Sequence, residues 1–237
     1  MENQIIVFEQ KKADIIAEDY FTAMCGFNRP GERFKSMLLD GLAIRDKMTG
    51  SFQIRSIVSS FGREAICGGA ILISDFKFAC NALEQIDQNS VIQIYAYILT
   101  AGNIDFESSS VLDLFYADIW GTAYVDAGRD LLREWIQNKL RLDEEIFVSD
   151  SFGPGYYGMD MTQLPYFFQL LDADKIGVQL NGSTMMLPLK SCAGFFVTVR
   201  GPGQLPGEAC KSCLAGTKGC NFCRSKTQER RDQKICR

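Results

Sequence analysis

Four of the nine cysteines stand at Cys210, Cys213, Cys220 and Cys223, in the spacing C-x2-C-x6-C-x2-C. Each x2 pair lets two thiolates reach one centre from a single tight turn. Gly216 and Gly219 allow the second pair to fold back over the first. Four thiolates so arranged meet the tetrahedral demand of zinc or of an iron–sulfur cluster. The six-residue gap is short for a zinc ribbon and matches no familiar ferredoxin spacing, so both metals stay open. Cys236 is a reserve ligand, whereas Cys25, Cys67, Cys80 and Cys192 lie in apolar surroundings and read as small core residues.

A second constellation is Ser151-Phe152-Gly153-Pro154-Gly155-Tyr156-Tyr157-Gly158, between an expected strand and an expected helix. Glycines there permit positive φ and close backbone approach by a ligand, Pro154 stiffens the loop, and Tyr156 offers a stacking face with a polar tip. Taken alone, the segment reads first as a plain turn between elements. The chain has no histidine. That removes Ser-His and Cys-His nucleophilic pairs, histidine-bearing zinc sites and an imidazole base. Acid–base work falls to carboxylates, lysines, tyrosines or cysteines, and any metal site to thiolates or carboxylates.

The elements that must carry these residues are legible from periodicity. Lys11–Cys25 and Glu32–Lys47 read as helices separated by the turn Asn28-Arg29-Pro30-Gly31. Phe52–Phe61, Ala65–Ile73 and Val91–Leu99 read as strands, and Asp75 as the cap of a helix running to about Gln85 with Phe76, Ala79 and Leu83 inward. Ser108–Leu140 is the longest helical stretch, with Val111, Leu114, Phe115, Ile119, Tyr124, Leu131, Leu132 and Trp135 near one face and Gly121 and Gly128 marking close packing. A short strand over Glu144–Ser149, a helix within Thr162–Leu171 starting late because of Pro165, and closing strands over Ile176–Leu180 and Ala193–Arg200 complete the body. Helices and strands mix without βαβ regularity, so the expected class is α+β with a mixed, largely antiparallel sheet.

The character of the chain changes near residue 201, where Gly201-Pro202-Gly203-Gln204-Leu205-Pro206-Gly207 forms a linker. The expected organisation is a body over residues 1–200 and a linker with a cysteine-rich metal- or cluster-binding tail over residues 201–237. From Gly207 to Arg237 eight Lys or Arg face three Asp or Glu, a balance of +5; with −4 overall, residues 1–206 carry −9. Such a tail suits an acidic partner or serves as a solubilising end, and nucleic acid is not the expected partner. The N-terminus lacks the basic start of a signal peptide, and no stretch of about 18 apolar residues occurs, so the expected location is cytoplasmic.

The turn resembles the Arg-x-x-Pro-Gly-Tyr turn with which the activation domain of cobalamin-dependent methionine synthase holds S-adenosylmethionine. The resemblance extends to Met24-Cys25-Gly26-Phe27, Thr100-Ala101-Gly102, the stretch from Gln163 through Leu170-Leu171, Ile176-Gly177-Val178, Met185-Met186-Leu187-Pro188 and Lys190-Ser191. It covers roughly residues 12–200 and is most similar to the short stand-alone members of that family. Two departures stand out: Ser151 occupies the place of the family's arginine, and the four-cysteine tail is an addition.

The resemblance implies an α+β body whose ligand residues are Ser151, Gly153, Pro154, Gly155 and Tyr156. It also implies an accessory protein that docks a corrinoid protein and supports its reductive reactivation or methyl transfer with S-adenosylmethionine, an electron-transfer protein being a further partner. The chain has no Asp-x-His-x-x-Gly corrinoid motif, so cobalamin is expected only through a partner protein. In that setting a low-potential iron–sulfur cluster in the tail would deliver the electron. The alternative is a non-catalytic binding or regulatory module whose tail holds structural zinc.

Overall fold

Five runs of β-branched and aromatic residues pair into one antiparallel sheet in the computed structural model, which describes residues 3–27, 30–48, 50, 52–80, 83–84, 86–140 and 145–201. The strands are β1 (Gln4–Val7), β2 (Arg55–Gly62), β6 (Val91–Thr100), β7 (Ile146–Val148) and β10 (Ser191–Arg200), in the spatial order β1-β2-β6-β10-β7. The alternation of side chains along β6 divides the core into two layers. Tyr95, Tyr97 and Leu99 face one layer, and Ile94, Ala96 and Ile98 face the other. Both layers are apolar, which is why β6 reads as an almost unbroken hydrophobic run.

Three helices cover the first face: α1 (Gln10–Met24), α2 (Glu32–Lys47) and α3 (Val111–Lys139). They meet where the Phe21 ring stacks on Trp120, with centroids 4.1 Å apart, and the Trp120 indole donates to the Gly41 carbonyl at 2.8 Å. A Cβ on Gly41 would collide with the Phe21 ring, so α2 approaches this closely only with glycine there. Ser110 caps α3 by accepting from the Asp113 N–H at 3.2 Å. Against the sheet, a Cβ on Gly128 would sit 2.8 Å from Ile54 and 3.0 Å from Leu99, and one on Gly121 would strike Ile104 and Lys190. The close packing expected of these two glycines is therefore what the helix uses.

The opposite face is covered by a small sheet, β3 (Ile66–Cys67), β4 (Ala70–Ile73) and β5 (Phe76–Ala79), and by helix α4 (Leu164–Leu170). Phe78 meets Phe167 and Phe195 edge-to-face, and Phe167 and Phe195 pack tilted on each other, with centroids 4.8–4.9 Å apart. A short pair, β8 (Gln179–Leu180) and β9 (Met186–Leu187), precedes β10.

Four expectations are corrected. Ala65–Ile73 is not one strand but the hairpin β3–β4, because Gly68 and Gly69 adopt φ 56° and 79° and turn the chain in two residues. The helix from Asp75 does not form. Ser74 turns at φ 52° and Phe76–Ala79 pairs back on β4, with Phe78 and Cys80 buried at a spacing of two rather than Phe76 and Ala79 inward. Ile176–Leu180 begins as a 3-10 turn that Gly177 ends at φ 73°, leaving two strand residues. On α3, Val111, Leu114 and Phe115 are exposed; the buried stripe is Tyr116, Trp120, Ala123, Tyr124, Ala127, Leu131 and Ile136, because the sheet is approached over small and aromatic residues. Pro165 does delay its helix, standing in the first turn of α4.

The Asn28-Arg29 part of the first turn, the start of the strand at Glu144 and everything after Gly201 lie outside the described residues. Among the described residues no helix is long and apolar enough to cross a membrane.

Candidate functional site

The glycine-rich turn leaves the edge strand β7 and is anchored on both sides. Arg133 of α3 donates to the Val148 carbonyl from Nε at 3.2 Å and from Nη2 at 2.8 Å, and its Nη1 lies 3.4 Å from Asp150. The N–H of buried Ser149 donates to the Val197 carbonyl at 2.8 Å, and its hydroxyl accepts the Val197 N–H at 2.9 Å. Phe152 then pairs with Phe195, at 3.1 Å and 2.7 Å, and holds the turn to β10.

Each glycine and proline has a separate task. A Cβ on Gly153 would collide with the Ala193 carbonyl oxygen, so Gly153 serves close approach to β10. Pro154 and Gly155 occupy the middle of a β-turn closed by the Tyr156 N–H donating to the Gly153 carbonyl at 2.9 Å, and Gly155 takes φ 86°. That is the type II pattern, with Pro at the second position and Gly at the third. A second turn follows at once. Tyr157 and Gly158 take φ 52° and 75°, and the Met159 N–H donates to the Tyr156 carbonyl at 3.0 Å. Tyr156 is left at the tip, 59 % exposed, while Cys80 donates its thiol to the Tyr157 carbonyl at 3.4 Å.

Ser151 faces inward. Its Oγ lies 2.5 Å from the Tyr97 hydroxyl, on the helical face of the sheet, while the next residue, Phe152, points to the opposite face. The Cys192 thiol reaches the same tyrosine hydroxyl at 4.0 Å. Arg129 of α3 completes the cluster. It is paired with Asp126 one turn earlier, both side chains are under one-fifth exposed, and its Nε is buried with no hydrogen-bond partner among the described residues. Burial works against the Arg129 charge, but Asp126 and the electronegative groups of Tyr97, Cys192 and Tyr156 outweigh it, so the guanidinium is held firmly protonated. Burial raises Tyr97 well above the usual phenol range and pushes the Cys192 thiol up to about 11, with Arg129 pulling in the other direction. At neutral pH the cluster thus holds a neutral thiol, a neutral phenol and a cation.

A separate groove of about 740 Å³ opens between the first turns of α3 and the segment leading into β10. Leu114, Ala117, Ile104, Leu187 and Leu189 line it with the ion pair Lys190–Asp118, 2.7 Å long. Lys190 also donates to Thr122 at 3.0 Å.

No protein-family model and no curated protein sequence matches the chain. Among solved structures, a crystal structure of the MetH reactivation domain bound to AdoHcy superposes with a TM-score of 0.59 at 14 % identity, covering 88 % of this chain and 80 % of that chain. The fold is that of the reactivation domain. The α+β class and antiparallel sheet expected from the sequence are those of this reactivation-domain fold.

Of the expected site residues, the fold brings Ser151, Gly153, Pro154, Gly155 and Tyr156 into one double turn, with Tyr156 outward and Ser151 inward. Cys210, Cys213, Cys220 and Cys223 lie outside the described residues, and among those described no group of three or more Cys, Asp or Glu is placed to hold a metal. Cys80 is buried as expected of a core residue and Cys25 and Cys192 are half-buried, but Cys67 is exposed at the tip of the β3–β4 hairpin. Sequence reading passed over Tyr97, Asp126 and Arg129. The available signal was Asp126-x-x-Arg129, an opposite-charge pair at helical spacing.

Proposed function

We propose that this chain is an accessory protein that docks a corrinoid protein and supports its reductive reactivation or methyl transfer. In this reading the double turn over Ser151–Tyr156 binds S-adenosylmethionine or its demethylated product. One observation carries it: a reactivation-domain fold whose Gly-Pro-Gly-Tyr turn stands between β7 and α4 with its tyrosine presented to solvent. The solved neighbour carries AdoHcy. The protein's contribution would be positioning, the methyl donor and the partner's corrin being held in line while the cofactors carry the reaction. The four cysteines of the tail would hold an iron–sulfur cluster or zinc, and an iron–sulfur cluster would supply the electron. Residues 1–200 would form the binding body and residues 201–237 the linker and metal-binding tail.

The test is titration calorimetry with S-adenosylhomocysteine on the wild type and on Tyr156→Ala. It is paired with capture of a corrinoid-loaded protein against its empty form. Binding that Tyr156→Ala weakens about tenfold, through loss of one aromatic contact, is expected. No binding of the nucleoside, together with equal capture of loaded and empty partner, would overturn the reading.

A second reading has its own support. Ser151 gives its hydroxyl to Tyr97 rather than to the open side of the turn. A module that has lost the nucleoside and keeps zinc in its tail for structure and partner binding fits that inward orientation. It requires colourless protein after anaerobic purification and no nucleoside affinity.

A further inference from the structure

We propose that Arg129 of α3, and no residue of the turn itself, clamps the carboxylate of the bound ligand. This rests on the reading of the turn as an S-adenosyl site and names the group that recognises one end of the molecule.

The argument begins with direction. Consecutive residues entering the turn point to opposite faces of the sheet, and Phe152 belongs to the layer under α4. The side chain at position 151 therefore points to the α3 face, where its hydroxyl meets Tyr97. A longer side chain at 151 would run into the same space. Arg129 enters from the helix, buried and paired with Asp126, and within electrostatic reach of Tyr97, Cys192 and Tyr156.

Next comes the donor inventory. A guanidinium carries five N–H donors in a planar fork, and the Arg129 fork spends Nη2 on Asp126 while its buried Nε–H has no acceptor among the described residues. A buried donor without an acceptor is costly, and native proteins rarely leave one. A carboxylate answers this demand better than a neutral acceptor, since it presents two oxygens to a fork and the bonds are charge-assisted. Asp126 fixes the rotamer through Nη2. Beyond the Arg129–Asp126 pair the cluster offers only neutral groups, Ser151, Tyr97 and the protonated Cys192 thiol, so Arg129 is its one cation among the described residues.

The proposal has a reciprocal consequence. Ser151→Arg on the wild-type background puts two guanidinium groups around the Tyr97 hydroxyl and does not raise affinity. The same substitution combined with Arg129→Gln moves the clamp from helix to turn and restores it.

The experiment compares two probes that differ by one carboxylate, S-adenosylmethionine and decarboxylated S-adenosylmethionine, by calorimetry on the full chain. Wild type is expected to prefer the carboxylated probe by about 10- to 100-fold, the range of a charge-assisted pair. Arg129→Gln should erase the preference by weakening only the carboxylated probe, and Arg129→Gln with Ser151→Arg should regain it. If Arg129→Gln lowers the melting temperature, the paired Asp126→Asn/Arg129→Gln variant, which leaves no charge unmatched, carries the measurement. A preference that survives in the Arg129 variants overturns the clamp while leaving the site intact. Wild-type protein that binds neither probe overturns the site itself and the clamp with it.

Discussion

Tyr97 gathers three groups around one hydroxyl, and their protonation states depend on one another. Cys192 is shifted upward by burial to about 11 from its ordinary 9.0, whereas Arg129 draws it down. The folded state therefore prefers the protonated thiol. Its stabilising effect is complete below pH 9, where both folded and unfolded thiols are protonated, and is lost as pH rises from 9 towards 11 while only the unfolded thiol ionises. The effect is at most about 3 kcal/mol for this group alone. Melting temperatures measured from pH 8 to 11 should fall more steeply for wild type than for Cys192→Ala. Parallel curves would remove the thiol from the cluster. Arg129→Gln should also slow alkylation of Cys192 at pH 9, since losing the cation raises the thiol further.

At the scale of elements, helix and turn positions are set by where backbone comes close to something else. Gly41 lets α2 lie against Phe21 and Trp120. Alanine is the better helix former by about 1 kcal/mol, yet the Phe21 ring is fully buried and stacked and has nowhere to go. Gly41→Ala is therefore expected to destabilise by roughly 1–3 kcal/mol in urea unfolding, with a stabilised variant excluding this packing. Gly153 and Gly155 separate two roles within one turn. Gly153→Ala meets backbone, the Ala193 carbonyl, and should abolish nucleoside binding and lower stability. Gly155→Ala meets only the Met161 sulfur and pays about 1 kcal/mol for φ 86°, so its loss in affinity should be the smaller of the two. Equal losses would show that conformation, not approach to β10, governs the turn.

For the whole molecule, β10 closes the sheet and ends at Arg200, whose N–H donates to the Ser90 carbonyl at 2.8 Å, with Gly201 donating to Glu145 at 2.8 Å. Among the described residues, every strand and helix that builds the two core layers precedes that point. Truncation after Gly201 should leave a folded body with a melting temperature within a few degrees of the full chain and without bound metal. Thermal unfolding and metal analysis of anaerobically purified protein check this, and collapse of the truncated body would refute the division at residue 201. Brown colour that bleaches in air marks an iron–sulfur cluster in the tail, and colourless protein containing zinc marks the alternative.

The sequence by itself determined the class of fold, the long α3, the late start of α4, the strands β2, β6, β7 and β10, and the position of the turn. These follow from local causes: strand alternation, helical spacing, a proline in a first turn and glycines where the chain bends. It misplaced the segments between Ala65 and Gln85, although Gly68-Gly69 carried a hairpin signal, because Phe76, Phe78 and Cys80 find their partners in β4 and in the core rather than along their own helix. What only the tertiary structure decided is which groups share a place. Position 151 lies 54 residues from Tyr97, and Arg129 and Cys192 come from two other elements. No local spacing records that meeting; it arises because the sheet fixes which face each strand residue takes and α3 lies across that face. The arginine that the turn lacks could be read from the sequence, but the guanidinium that stands beside it could not.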